Sequence, residues 1–193
     1  MIRLYLIRHG IAVEPAEFSG SDGARPLTAK GRRRFRRAAK EFARLAEPVS
    51  LIVASPLVRA VQTAELLAWA LKADAVEINS DLTPSGNGEA LLRWLASRAE
   101  DGQGVALVGH DPSISLLLAR VADLSGPDAA RVVFRKGCIV RVDVGALPAA
   151  RPAQARWWMR PQSRELRQGL PLARPPGESA PPKRPRQLKP VKS

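Results

Sequence analysis

The chain of 193 residues has two histidines, and each stands directly behind an apolar run, His9 after IRLYLIR and His110 after VALVG. A neutral imidazole, with an ordinary pKa of about 6.5, is a competent nucleophile near neutral pH. Arginines stand close to these positions: Arg8 adjoins His9, and Arg59 follows the apolar run LIVA within SPLVRAVQT. A guanidinium fork bonds two oxygens of a phosphoryl group at once, and fixed cations stabilise its charge in flight. A single histidine, or a single arginine, is more often an ordinary surface or loop residue. Two histidines at equivalent places, each with helpers, favour one shared site able to neutralise a phosphoryl group, whose transfer needs positioning and electrostatics but no metal. The sequence offers no dense carboxylate or histidine cluster for a catalytic metal, and no cofactor is expected.

Such residues need elements to hold them. IRLYLI at 2–7 reads as a buried first strand with Arg8, His9 and Gly10 at its carboxyl end. LIVAS at 51–55 reads as a second buried strand and VALVG at 105–109 as another, each followed by a turn and a helical period. In open α/β sheets the ligand crevice lies at the carboxyl ends of strands, which is where both imidazoles fall. Thr28 is the expected N-cap of a helix with Phe35, Ala38, Ala39, Phe42 and Leu45 on one stripe, ended by Pro48. Arg59 falls in the first turns of the helix VRAVQTAELLAWAL, whose dipole also favours an anion. A short strand near Val76–Ile78, helices in ALLRWLASRAE and ISLLLARVADL, an alternating strand CIVRVDV at 138–144 and an edge strand ARWWM at 155–159 complete the pattern. Trp157 and Trp158 are then expected to divide between core and surface. Strands alternating with helices imply one α/β layer sandwich.

The length suits one domain. From Arg164 onwards the chain is rich in proline, carries eight basic residues against two glutamates and shows no apolar period. The expected division is therefore a domain at 1–163 and a disordered basic tail at 164–193. The net charge of +13 favours anionic partners, such as phosphorylated substrates, nucleic acid or polyphosphate, without choosing among them. The run KGRRRFRRAAK at 30–40 reads as a solvated basic face that could dock an acidic phosphoprotein. Cys138 is the only cysteine, which excludes an intramolecular disulfide and fits a structural thiol in a reducing compartment. No segment reads as a signal peptide or membrane span, so the expected location is the cytoplasm.

RHG at 8–10, RPLTAKG at 25–31, SPLVRAVQT at 55–63, LTPSGNGEAL at 82–91 and GHDPSI at 109–114 resemble, in order and spacing, the histidine phosphatase superfamily. The resemblance is to its short branch, the SixA-like phosphohistidine phosphatases, and covers roughly residues 1–160. It implies a phosphoglycerate mutase-like three-layer α/β/α sandwich. It also implies His9 as the nucleophile that becomes phosphorylated, with Arg8, Arg59 and His110 as the phosphate pocket. Arg25 from RPLT is a further pocket residue, with a surface loop arginine as its alternative.

One departure concerns the leaving group. Phosphomonoesterases and mutases of this superfamily carry a glutamate just after the leucine that here is Leu82, as general acid for an alkoxide. Here Thr83 and Pro84 stand there, so the proton donor is unidentified; Glu89, Asp22 and Asp111 are substitutes or ordinary surface carboxylates. Imidazole leaves more readily than alkoxide once protonated, so the expected activity is dephosphorylation of phosphohistidine in a protein partner, such as a histidine-containing phosphotransfer domain. Two alternatives stay open: a phosphomonoesterase for a small phosphorylated metabolite, and a binding protein whose basic helix and tail hold nucleic acid or polyphosphate beside a vestigial pocket.

Overall fold

The computed structural model describes residues 1–147, 151–161 and 166–173. Apolar runs become strands and amphipathic runs become helices in the order β1 (Ile2–Arg8), α1 (Ala29–Leu45), β2 (Leu51–Ala54), α2 (Val58–Leu71), β3 (Glu77–Ile78), α3 (Gly88–Ala96), β4 (Gly104–Gly109), α4 (Ser113–Val121), α5 (Gly126–Ala130), β5 (Ile139–Val144), β6 (Gln154–Met159) and β7 (Arg167–Gln168). The seven strands form one sheet in the order β3-β2-β4-β1-β5-β6-β7. β1, β2, β3 and β4 run parallel, whereas β5, β6 and β7 pair antiparallel.

Strand alternation sends side chains to two cores. Leu4, Leu6, Val105 and Leu107 meet Leu91, Leu95, Ile114 and Leu118 from α3 and α4 on one face. Tyr5, Ile7, Ile52 and Ala106 meet Phe35, Phe42, Ala60 and Leu67 from α1 and α2 on the other. The result is the expected three-layer α/β/α sandwich. β4 is buried along its whole length, as a parallel strand covered on both faces must be.

Thr28 caps α1 as expected, its hydroxyl accepting from the Gly31 amide at 2.9 Å. Gly31 has a second reason to be glycine, because a Cβ there would run into the Ile11 carbonyl oxygen. That close approach ties the start of α1 to the loop leaving β1.

Three expectations are corrected. α1 stops at Leu45, before Pro48. ARWWM is an inner strand: β7 pairs outside it, with Trp157 opposite Gln168 and Trp158 opposite Arg167. Both tryptophans are consequently buried, Trp157 in the α1/α2 core and Trp158 in the α3/α4 core. The boundary at 163/164 moves as well. Leu172 bridges Val132, Leu170 and Leu172 lie against the α3/α4 core, and Pro171 is buried. Leu170 and Leu172 alternate as in a strand, but two residues around a proline are too short a run to read as an element, so this apolar contact escapes pattern reading. The remainder of the expected tail, residues 174–193, lies outside the described residues.

Candidate active site

The site stands at the carboxyl ends of β1, β2 and β4. Parallel register brings Arg8 level with Gly109 and Ala54 level with Val108, so His9, Ser55 and His110 are the first residues past three neighbouring strand ends. The amides of His9 and Ser55 complete the ladder, donating to the carbonyls of Gly109 and Val108 at 3.0 Å each. The two imidazole centroids are 4.9 Å apart with the planes at 53°. The two histidines, far apart in sequence, therefore share one site.

His9 is buried, and its Nδ1 lies 2.7 Å from the Gly10 carbonyl oxygen. A carbonyl only accepts, so Nδ1 carries the proton and the lone pair of the neutral ring is on Nε2. Burial, then the positive charge His110 would carry, pushes the His9 pKa down to about 3. Burial, then the Arg59 charge, pushes His110 down to about 4. Both rings are neutral at physiological pH, the state a nucleophilic imidazole requires.

Acidification has a defined consequence for stability. Above pH about 6.5 both rings are neutral in folded and unfolded chains alike. Between that pH and about 4 the unfolded chain takes up protons that the folded chain does not, so stability falls as pH falls across this window. Since the chain has only these two histidines, their imidazole proton resonances are assignable by substitution. Neither resonance is expected to titrate between pH 5.5 and 8, and a midpoint near 6.5 for either would contradict the burial argument.

The arginines surround this pair. Arg59, in the first turn of α2, is 4% exposed; its guanidinium donates to the Asp22 carbonyl at 2.7 Å and to Asp22 Oδ2 at 3.0 Å. Arg25 donates to the same carboxylate, Nε to Oδ1 at 2.8 Å, and to the Val13 carbonyl at 2.6 Å. Arg8 donates to the Phe134 carbonyl at 2.5 Å and reaches Asp111 at 3.3 Å. Thus Arg8, Arg59 and His110 keep company with His9, and Arg25 joins Arg59 through a shared carboxylate. Arg8 Nε, Arg59 Nε and His110 Nδ1 are buried without hydrogen-bond partners. Buried polar nitrogens left unpaired are costly, and three of them around one imidazole suit an oxyanion.

Sequence reasoning passed over two contributors and the ion-pair role of a third. Ser55, fully buried, meets His110 Nε2 through its hydroxyl at 2.9 Å and sets that ring's orientation. Thr63 donates to the Arg59 carbonyl at 2.6 Å and accepts from the Gly10 amide at 3.0 Å, coupling the helix that carries Arg59 to the residue after His9. Asp22 stands in the sequence reading as a substitute proton donor or an ordinary surface carboxylate. The Arg25 bond, followed by Arg59, holds its carboxyl below the usual carboxylate range, which suits an ion-pair partner better. The other two substitutes are also engaged: Asp111 with Arg8 and Ser115, and Glu89 with Arg93 and Arg120. Thr83 donates to the Ser80 carbonyl at 2.7 Å. Burial pushes the Cys138 thiol up to about 12, which fits a structural role. Among the described residues no cluster of three or more His, Cys, Asp or Glu could hold a metal ion, and no helix is long and apolar enough to cross a membrane.

Residues 4–89 match the family model "Histidine phosphatase superfamily (branch 1)". An uncharacterised protein of Picosynechococcus sp. is 40% identical over 114 residues, covering 58% of this chain and 68% of the relative. The chain belongs to the histidine phosphatase superfamily. The phosphohistidine phosphatase SixA of Escherichia coli is 28% identical over 122 residues, 62% of this chain and 74% of SixA. A structure of the protein histidine phosphatase SixA complexed with tungstate superposes with a TM-score of 0.72 at 25% identity, covering 83% of this chain and 97% of that one. As a member of this superfamily with SixA similarity, the chain is a histidine-nucleophile phosphatase.

Proposed function

We propose that the chain dephosphorylates phosphohistidine in a protein partner, with His9 as nucleophile and Arg8, Arg25, Arg59 and His110 as the phosphoryl-binding groups. The observation that carries the catalytic assignment is the His9 Nδ1 contact with the Gly10 carbonyl, which leaves Nε2 unprotonated beside the unpartnered nitrogens of Arg8, Arg59 and His110. Nε2 attacks phosphorus, the substrate's P–N bond breaks, and its imidazole leaves neutral because its other nitrogen already bears a proton. Water then attacks phospho-His9; its P–N bond breaks, inorganic phosphate departs with the water's oxygen, and His9 is restored. Guanidinium charge and buried donors stabilise the charge on the phosphoryl oxygens in both steps.

Similarity to SixA supports the substrate class, and the proton inventory favours it. Thr83, where phosphomonoesterases of the superfamily have a glutamate, offers a hydroxyl already donated to Ser80. Asp22, near the pocket, is held ionised by arginines. An alkoxide lacking a strong acid departs slowly, a deficit of about 10²–10⁴-fold. Initial rates on a phosphorylated histidine-containing phosphotransfer domain, a panel of sugar and glycerol phosphates and an aryl phosphate compare the classes directly. The phosphodomain is expected to exceed the alkyl esters in kcat/KM by at least about 10²-fold. An alkyl phosphate turned over faster than the phosphodomain would replace this reading with a metabolite phosphatase.

A further inference from the structure

The row of side chains that begins at Arg8 continues across the sheet. Arg8 donates its amide to the Cys138 carbonyl at 3.1 Å, and Ile139, next in β5, pairs with Met159 of β6. Antiparallel register therefore sets Arg160 level with Cys138 and Arg8, on the α3/α4 face that Trp158 also uses. With two strand spacings between them, Arg160 lies about 10 Å from Arg8 along the same rim of the sheet.

Two more arginines meet it there. Arg135 precedes the turn whose Gly137 amide donates to the carbonyls of Arg8 and His9. Arg167, on β7, stands opposite Trp158, and the guanidiniums of Arg160 and Arg167 lie 5.0 and 5.3 Å from the centroid of that one indole. Arg160 Nε is buried without a hydrogen-bond partner. Burial, then the charges of Arg135 and Arg167, pulls the Arg160 pKa down, so the three repel one another. Among the described residues no carboxylate pairs with any of them.

The opposite end of the same strands is a useful contrast. There Arg141 and Arg156 share the buried carboxylate of Asp143, and Arg3 and Arg141 share Glu47. At the site end Arg8, Arg25 and Arg59 also have carboxylate partners, whereas Arg135, Arg160 and Arg167 have none among the described residues. Convergent like charge costs stability in the protein alone and is relieved by an anion.

We infer that Arg135, Arg160 and Arg167 around Trp158 form an anion subsite that receives an acidic side chain of the protein substrate, about 10 Å from Arg8 along the rim of the sheet. This rests on the phosphoprotein reading above and adds a recognition element to it. In an extended segment side chains on one face recur every two residues, about 6.7 Å, so the acidic groups that face the same rim as the phosphohistidine stand two and four positions from it. A carboxylate at that place meets two guanidiniums held on an aromatic face, where the fork geometry is preorganised.

The test uses two phosphohistidine peptides, identical except for glutamate or glutamine two and four residues from the phosphohistidine, and reads the ratio of their kcat/KM values at low salt. The full-length parent is expected to prefer the glutamate peptide about fivefold, the size of one solvent-accessible ion pair. The double variant Arg160→Gln, Arg167→Gln is expected to show a ratio near one. Arg167→Glu, at an exposed position, is expected to invert the preference. Because each ratio is taken within one protein, loss of folded material cancels. A parent that turns over both peptides without preference, or a double variant that keeps the preference, overturns the subsite and leaves the phosphoprotein reading standing. A parent that hydrolyses sugar phosphates and neither peptide overturns both.

Discussion

His9→Ala is expected to lower turnover by about 10⁴-fold or more while the protein stays folded. The variant loses the only nitrogen that combines a neutral ring, a fixed tautomer and surrounding cations. Such a loss corresponds to about 5 kcal/mol or more of transition-state stabilisation, far beyond what a shifted loop costs. The fold should survive, because the truncation leaves the Gly10 carbonyl without this partner at a cost of about 1–3 kcal/mol, so circular dichroism and the melting curve separate chemistry from fold. A second reading identifies the atom. Brief incubation with labelled substrate should leave acid-labile phosphate on the parent and none on His9→Ala. His110→Ala should retain the label and turn it over slowly, since His110 Nε2 is tied to Ser55. Label on His9→Ala and none on His110→Ala would transfer the nucleophile's role to His110.

The parts of this arrangement that were legible in sequence share one property. IRLYLI, LIVA and VALVG are buried on both faces, so they appear as continuous apolar runs, and the residue at which each run stops marks a strand's carboxyl end. His9 and His110 could be assigned to one crevice because parallel strands put all such ends on the same side. Contacts fixed by tertiary packing were hidden. β7 consists of two exposed residues, and the segment is anchored by Leu170, Pro171 and Leu172, a run too short and too interrupted by proline to read as an element. Without β7, Trp158 appears to belong to an edge.

Polar partners were hidden for a different reason. Ser55 and Thr63 look like ordinary polar residues of the motif SPLVRAVQT; only the fold shows that one orients His110 and the other joins α2 to Gly10. Asp22 appears in sequence as one loop carboxylate among several. In space it neutralises Arg25 and Arg59 together, which the sequence signals only by an acidic residue three positions before the RPLT arginine. The arginines of the rim, Arg135, Arg160 and Arg167, come from three separate stretches of chain; cross-strand register unites Arg160 with Arg167, and the turn before β5 brings Arg135 to them.

Arg59→Ala is expected to reduce kcat/KM by about 10²–10³-fold, comparable to removal of one preorganised donor from an oxyanion site. The side chain is 4% exposed in the first turn of α2, so it brings a guanidinium charge and the helix's free amides toward one place. Losing it leaves Asp22 without one partner, but that carboxylate is 60% exposed and keeps Arg25, so solvent limits the structural cost. Arg59→Lys divides charge from geometry. An ammonium restores the positive charge but lacks the planar fork, and its greater hydration makes burial harder. If charge alone matters, the lysine variant should return to within a few-fold of the parent. The fork geometry leads instead to an intermediate value, about tenfold above Arg59→Ala and well below the parent. Salt offers a further distinction: a buried cation is screened weakly, so the deficit of Arg59→Ala should persist at high ionic strength. A deficit that vanishes as salt rises would place Arg59 in long-range steering and remove it from the phosphoryl pocket.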